Sequence, residues 1–108
     1  MAKYLILWRR NDLAPWSTDP KEKLEFAEKL WLSIDILMKR GLIKDHGSFL
    51  DGEAGYSIAE GESADVFRHV RSIRPYFGVE VKEIISCEKI REIVRPLYKK
   101  AIAEAAKK

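Results

Sequence analysis

The first apolar run of the chain, "YLILW" inside residues 3–9, is short, aromatic and bounded by charge. That pattern predicts a strand covered on both faces. After the turn-rich "NDLAPWSTDP", Pro20 suits the first turn of a helix, with Asp19 before it as the cap. Leu24, Ala27, Leu30, Trp31, Ile34, Leu37 and Met38 then recur at spacings of three and four, on one face of a long helix ending near Gly41. Residues 42–50, "LIKDHGSFL", and 55–60, "GYSIAE", flank "DGEA", and an Asp-Gly pair between such segments predicts an antiparallel hairpin. Ser63 is expected to cap a second helix carrying Val66, Phe67, Val70 and Ile73, which "RPYFG" ends. Val79, Val81 and Ile85 alternate with Glu80 and Lys82 as a fourth strand. A last helix from about Glu88 carries Ile90, Ile93, Val94, Leu97 and Tyr98; Pro96 is expected to kink or divide it, and its Ala/Lys-rich end to fray.

This order predicts an α+β fold, a ferredoxin-like βαββαβ unit with a four-stranded antiparallel sheet plus a C-terminal helix, with residues 1–108 forming one domain. Both main helices then cover one sheet face. The other face stands bare, and pairing two such faces in a homodimer hides it. Within the hairpin, alternation groups Ile43, Asp45, Gly47 and Phe49 with Ala54, Tyr56, Ile58 and Glu60, and sets His46 and Ser48 with Gly55, Ser57 and Ala59. The aromatic group is expected to pack on the helices, while His46, Ser48 and Ser57 look into the dimer or a cavity beside it.

Composition narrows the setting without naming a reaction. Hydrophobic residues at 46% and charged residues at 34% are those of an ordinary soluble protein. No apolar run approaches the roughly 20 residues that cross a bilayer. The single cysteine, Cys87, fits a reducing cytoplasm and reads as a small buried apolar residue. The net charge of +3 is spread among 17 acidic residues, so it does not imply nucleic acid. The chain has no glutamine and one asparagine, Asn11, beside abundant Lys, Arg and Glu, a bias associated with thermophilic sources.

The layout, and in particular "GLIKDHGSFLDGEAGYSIAEGESADVFRHV" followed by "YFGVEVKEII", resembles the dimeric alpha/beta-barrel superfamily. Its members include YCII-related proteins, muconolactone isomerases and antibiotic-biosynthesis monooxygenases. The likeness spans most of residues 3–87 and rests on element order and on a glycine-bounded hairpin followed by a capped helix. It implies two sheets meeting face to face, and pockets between sheet and helices that take ligands as different as lactones, aromatic polyketides and haem. It does not transfer a reaction.

His46 is the residue expected to move a proton, because imidazole changes charge near neutral pH. Asp45 beside it points to the opposite face, so the two form no side-by-side dyad. His69 reads as a solvated helical histidine. Two separated histidines and one cysteine supply no metal-site spacing, so no metal is expected. Trp8, Trp16, Trp31, Tyr56 and Phe67 are the residues available to line a pocket for a flat apolar ligand, although the core is the simpler place for Trp31, Tyr56 and Phe67. Trp16 is different. It sits in a Pro-containing loop, where a large ring is expected to close the mouth of a pocket.

Four of the six glycines fall in "GSFLDGEAGYSIAEGES", yet neither a Walker nor a dinucleotide spacing is present, so no phosphate-bearing cofactor is expected. The glycines read as architectural: Gly52 for the turn, Gly47 for room beside Tyr56. RNA-recognition domains share the element order, but Ala54, Ile58 and Gly61 stand where their basic and stacking residues would be. The sequence thus points to a cytoplasmic homodimer binding a small organic molecule, without cofactor or membrane. Activity of the cofactor-free isomerase or oxygenase kind and a ligand-sensing or structural role both stay open.

Overall fold

The computed structural model describes residues 2–107. The chain runs β1 (Lys3–Arg10), α1 (Pro20–Lys39), β2 (Ile43–Ser48), β3 (Ala54–Glu60), α2 (Ser63–Ser72), β4 (Phe77–Ile84) and α3 (Cys87–Ala106). The strands form one sheet in the order β2-β3-β1-β4, and each neighbouring pair is antiparallel. This is the ferredoxin-like α+β layout with an added C-terminal helix.

Local chemistry starts and stops the helices. Asp19 accepts the backbone N–H of Glu22 with Pro20 in the first turn of α1, and Gly41, at φ +82°, ends the helix in a conformation that side chains resist. Ser86 caps α3 by accepting from Lys89 N at 3.1 Å. The cap expected of Ser63 is not made. Ser63 is already helical, and Glu62 precedes it without a side-chain bond. Pro96 lies inside α3 without dividing it. It withholds one backbone donor, and whole turns on either side hold the helix together.

The core is small and sits between β1, β3 and α2. Ile6, Ala59, Val66 and Val70 are buried together, with Tyr4, Leu42 and Val79 packed around them. Register explains the choice of face. Tyr4 lies beside Ala59, Ile6 beside Ser57 and Trp8 beside Gly55, so β3 presents only Gly, Ser and Ala toward the helices. Such small side chains let α2 approach closely. The expected orientation of the hairpin is therefore inverted: His46, Ser48 and Ser57 face the helices, while Tyr56 and Ile58 lie on the open face. Bulk does not mark the covered side here; close approach of the helices selects the small side instead. Ile43 also changes sides. A register shift between Ile43 and Asp45 breaks the alternation, pairs Ile43 with Ala59 and buries it.

Much of the apolar surface remains outside this core. On α1 only Ile34 is buried, and Leu24, Trp31 and Met38 are exposed. No residue of α3 is buried, and Ile90, Ile93, Leu97, Tyr98 and Ile102 form an exposed stripe along it. Cys87, expected to be buried, is exposed at its first position. The chain exposes 8484 Å². A compact monomer of this mass exposes about 6,200 Å². The radius of gyration, 19.8 Å, likewise exceeds the roughly 13 Å of a compact chain of this length.

Two glycines, Gly47 opposite Tyr56 and Gly55 opposite Ser48, serve the two faces of the hairpin. A Cβ on Gly47 would meet the Tyr56 ring at 2.7 Å, and one on Gly55 would run into both the Gly47 carbonyl oxygen and the Trp8 indole. Gly55→Ala is therefore expected to lower unfolding stability by about 1–3 kcal/mol. Gly78→Ala, whose Cβ would come no closer than 3.9 Å to a neighbour, is expected to stay within about 0.5 kcal/mol. Urea denaturation of the two variants checks the contrast.

Candidate functional site

Because α1 approaches the sheet along β2 and stands away from it elsewhere, a cleft of about 820 Å³ opens between α1 and the helix-side face of the sheet. Its floor is Ile6, Trp8, His46 and Ser57, and one wall is α1 at Phe26, Leu30 and Ile34. At the end near β4 a set of aromatic rings closes it. Trp16 meets Phe26, Tyr76 and Phe77 at centroid distances of 5.4, 4.9 and 5.7 Å, and Phe77 meets Trp8 edge-on at 5.5 Å. Edge-to-face pairs of this kind hold rings in fixed orientation.

Trp16 is ordered for reasons that can be named. Its Nε1 donates to the Asn11 carbonyl at 2.6 Å, and the Arg10 guanidinium lies 4.3 Å over its ring. Asn11 in turn donates from Nδ2 to the Pro75 carbonyl at 2.9 Å, joining the loop to the segment before β4. The loop tryptophan is thus part of the cleft wall. Trp8 and His46 also line the cleft, with their rings stacked at 6.0 Å and 19°. Trp31 lines it from the outer side of α1 and is 57% exposed, outside the core expected for it. Phe67 is likewise exposed on α2.

Tyr56 does not join these residues. It lies on the open face, stacked on Phe49, and its hydroxyl donates to Asp45 Oδ2 at 2.8 Å. That bond and the Asp45 charge raise the phenol above its usual pKa. Asp45 also accepts the His46 backbone N–H through Oδ1 at 2.9 Å, while the two side chains point to opposite faces as alternation requires.

The polar part of the cleft is built on two histidines. His46 Nδ1 is 2.7 Å from Ser57 Oγ, and Ser57 is 1% exposed. Burial lowers the His46 pKa, and the Asp45 charge only partly opposes this. His69, expected in solvent, is 7% exposed and lines the same cleft. Its pKa is lowered by burial and then by the nearby His46. Two buried nitrogens here have no protein partner, His69 Nδ1 and Trp8 Nε1. A signal for His69 was present in the sequence. It lies three residues after Val66 and four before Ile73, on the stripe that also carries Val70. Its charged neighbours, Arg68 and Arg71, obscured that spacing.

Among the described residues, no group of three or more His, Cys, Asp or Glu could hold a metal ion. Among the same residues, no helix is long and apolar enough to cross a membrane. No protein-family model and no curated protein sequence matches the chain. What the cleft does is therefore read from its own chemistry: an aromatic slot lined by two imidazoles that burial keeps from taking up protons, His46 on the sheet and His69 on α2.

Both histidines have pKa values below 6.5 in the folded chain, so the unfolded chain binds more protons just below that pH. Stability is then fully present above the unfolded value and is lost as pH falls through it. The urea midpoint is expected to drop between about pH 8 and about pH 5, and to drop less in His69→Gln. A midpoint for His69→Gln that falls as steeply as the parent's removes His69 from that account.

Proposed function

We propose that this chain is a homodimeric small-molecule-binding protein that holds a flat aromatic compound in the cleft between α1 and the sheet. The observation that carries the reading is the stacked Trp8–His46 pair, walled by Trp16, Phe26, Tyr76 and Phe77 and left open for about 820 Å³. Ligand sites for small organic molecules have volumes of about 300–1,000 Å³, mostly apolar walls and a few placed polar groups. Where the bound compound is turned over, the reaction is a cofactor-free enolisation in which water takes the proton next to the carbonyl while neutral His46 hydrogen-bonds the developing enolate oxygen. A binder without turnover uses the same cleft.

The dimer rests on surface. Leu5, Leu7, Tyr56 and Ile58 leave the open sheet face half-buried, and the α3 stripe has no cover of its own. The surplus over a compact monomer, near 2,300 Å², exceeds the roughly 800 Å² that each partner contributes to an ordinary interface. A second copy seated on the open face and gripped by α3 accounts for it. Nucleic acid fits that face poorly, because Asp45 holds a negative charge against its exposed tyrosine.

Three measurements test these statements. Quenching of tryptophan fluorescence by alpha-naphthol is expected to saturate, to weaken by about tenfold in Trp16→Ala, and to be unchanged in Tyr56→Phe. Absence of saturable binding in the parent chain sinks the ligand reading. In light scattering the chain is expected to run as a dimer at micromolar concentration and Leu7→Glu as a monomer; a monomeric parent sinks the paired-sheet assembly. Exchange of the hydrogens next to the carbonyl of alpha-tetralone, followed by NMR in heavy water, is expected to be faster with the parent than with His46→Ala. Equal rates assign the cleft to binding alone.

A further inference from the structure

The two histidines on the floor of the cleft do not leave the polarity of the ligand open. Ser57 is buried, and among the described residues its hydroxyl has one partner, His46 Nδ1 at 2.7 Å. A buried hydroxyl proton with a single acceptor within reach is satisfied by donating to it. Nδ1 of His46 is then the nitrogen without a proton, and the ring proton sits on Nε2. Among the described residues that nitrogen has no protein partner, and the ring lines the cleft.

His69 reaches the same state by a different route. Its Nδ1 is buried with no partner. Placing the proton there would leave an N–H shut away from every acceptor, and buried orphan donors are rarer than buried orphan acceptors. The proton therefore sits on Nε2 of a ring that lines this cleft and also a smaller cavity beside the end of α1. Trp8 adds a third N–H in the same floor, at a nitrogen buried without an acceptor. Of the neighbouring carboxylates, Glu22 accepts from the Ser17 hydroxyl at 2.5 Å, and Asp45 is on the other side of the sheet with Tyr56. Cations stand at the rim, Lys23 and an Arg10 that is paired at 3.6 Å with Asp12.

We infer that the cleft selects aromatic compounds whose polar head is a hydrogen-bond acceptor carrying full or developing negative charge, a carboxylate, phenolate or enolate oxygen, received by the Nε2–H groups of His46 and His69. This rests on the ligand reading of the cleft given above. Two neutral imidazoles make good donors to such an oxygen, since a neutral ring gives its hydrogen bond without transferring a proton before it is needed. Hydrogen bonds to a charged acceptor are also about twice as strong as those between neutral groups. The same arrangement disfavours a cationic head, which would press against two N–H dipoles.

Three probes of one shape and different head charge test the inference by calorimetry at neutral pH: alpha-naphthoate, methylnaphthalene and naphthylmethylammonium. The carboxylate is expected to bind about tenfold or more tighter than the ammonium, with the hydrocarbon between them. In His46→Phe and His69→Phe that preference is expected to shrink toward the hydrocarbon's affinity. Equal binding of all three, or tighter binding of the ammonium, overturns the head-group assignment and leaves the aromatic cleft standing. No binding of any of the three overturns both. Imidazole nitrogen NMR of the parent chain gives a second readout that needs no variant to fold. Both rings are expected as the Nε2–H tautomer, and an Nδ1–H tautomer on both overturns the inference.

Discussion

The helix-facing side of β3 carries Gly55, Ser57 and Ala59, and this row of small side chains is the constraint on which the rest of the structure depends. Beside Ala59 it lets α2 settle on Ile6, which makes the core. Beside Gly55 it leaves room for the Trp8 indole to lie across the strand, and beside Ser57 it gives His46 a buried hydroxyl as its only side-chain partner. Larger residues at these positions would fill the space between sheet and α1. The cleft is thus a consequence of strand composition, and the aromatic rings around it are what its sparse floor leaves uncovered.

The same economy explains why the chain exposes so much surface. A core of a few residues between β1, β3 and α2 is small for a domain of this length, and α1 and α3 each keep most of their apolar residues outside it. The helices are held by their caps and by backbone hydrogen bonding more than by burial. A chain so arranged leaves apolar surface on the open sheet face and along α3, the surface that the proposed second copy would cover. The open cleft and the exposed apolar surface are two results of one distribution of side-chain size.

The electrostatics of the cleft follow from burial in the same way. Asp45, the carboxylate next to His46, is turned to the opposite face by the alternation of β2 and only partly offsets the desolvation of that ring. Desolvation then governs both rings and keeps them neutral. A neutral imidazole with one nitrogen satisfied or shut away has a defined donor left, which turns an apolar slot into one that distinguishes between head groups.

The sequence by itself determined the element order, the hairpin at "DGEA", the start of α1 at Asp19-Pro20 and the grouping of hairpin residues into two faces, because these depend on periodicity and on local backbone chemistry. It also singled out Trp16 and His46. What it could not decide was which face the helices would cover, since alternation fixes the two sets of side chains but is symmetric between the two sides of a sheet. Tertiary packing broke that symmetry by favouring the small residues of β3, and in doing so sent Tyr56 away from the cleft and brought His46 into it. His69 was lost to the eye for a related reason: its neighbours are charged, and only the docking of α2 shows that a polar residue on an apolar stripe has been carried inside.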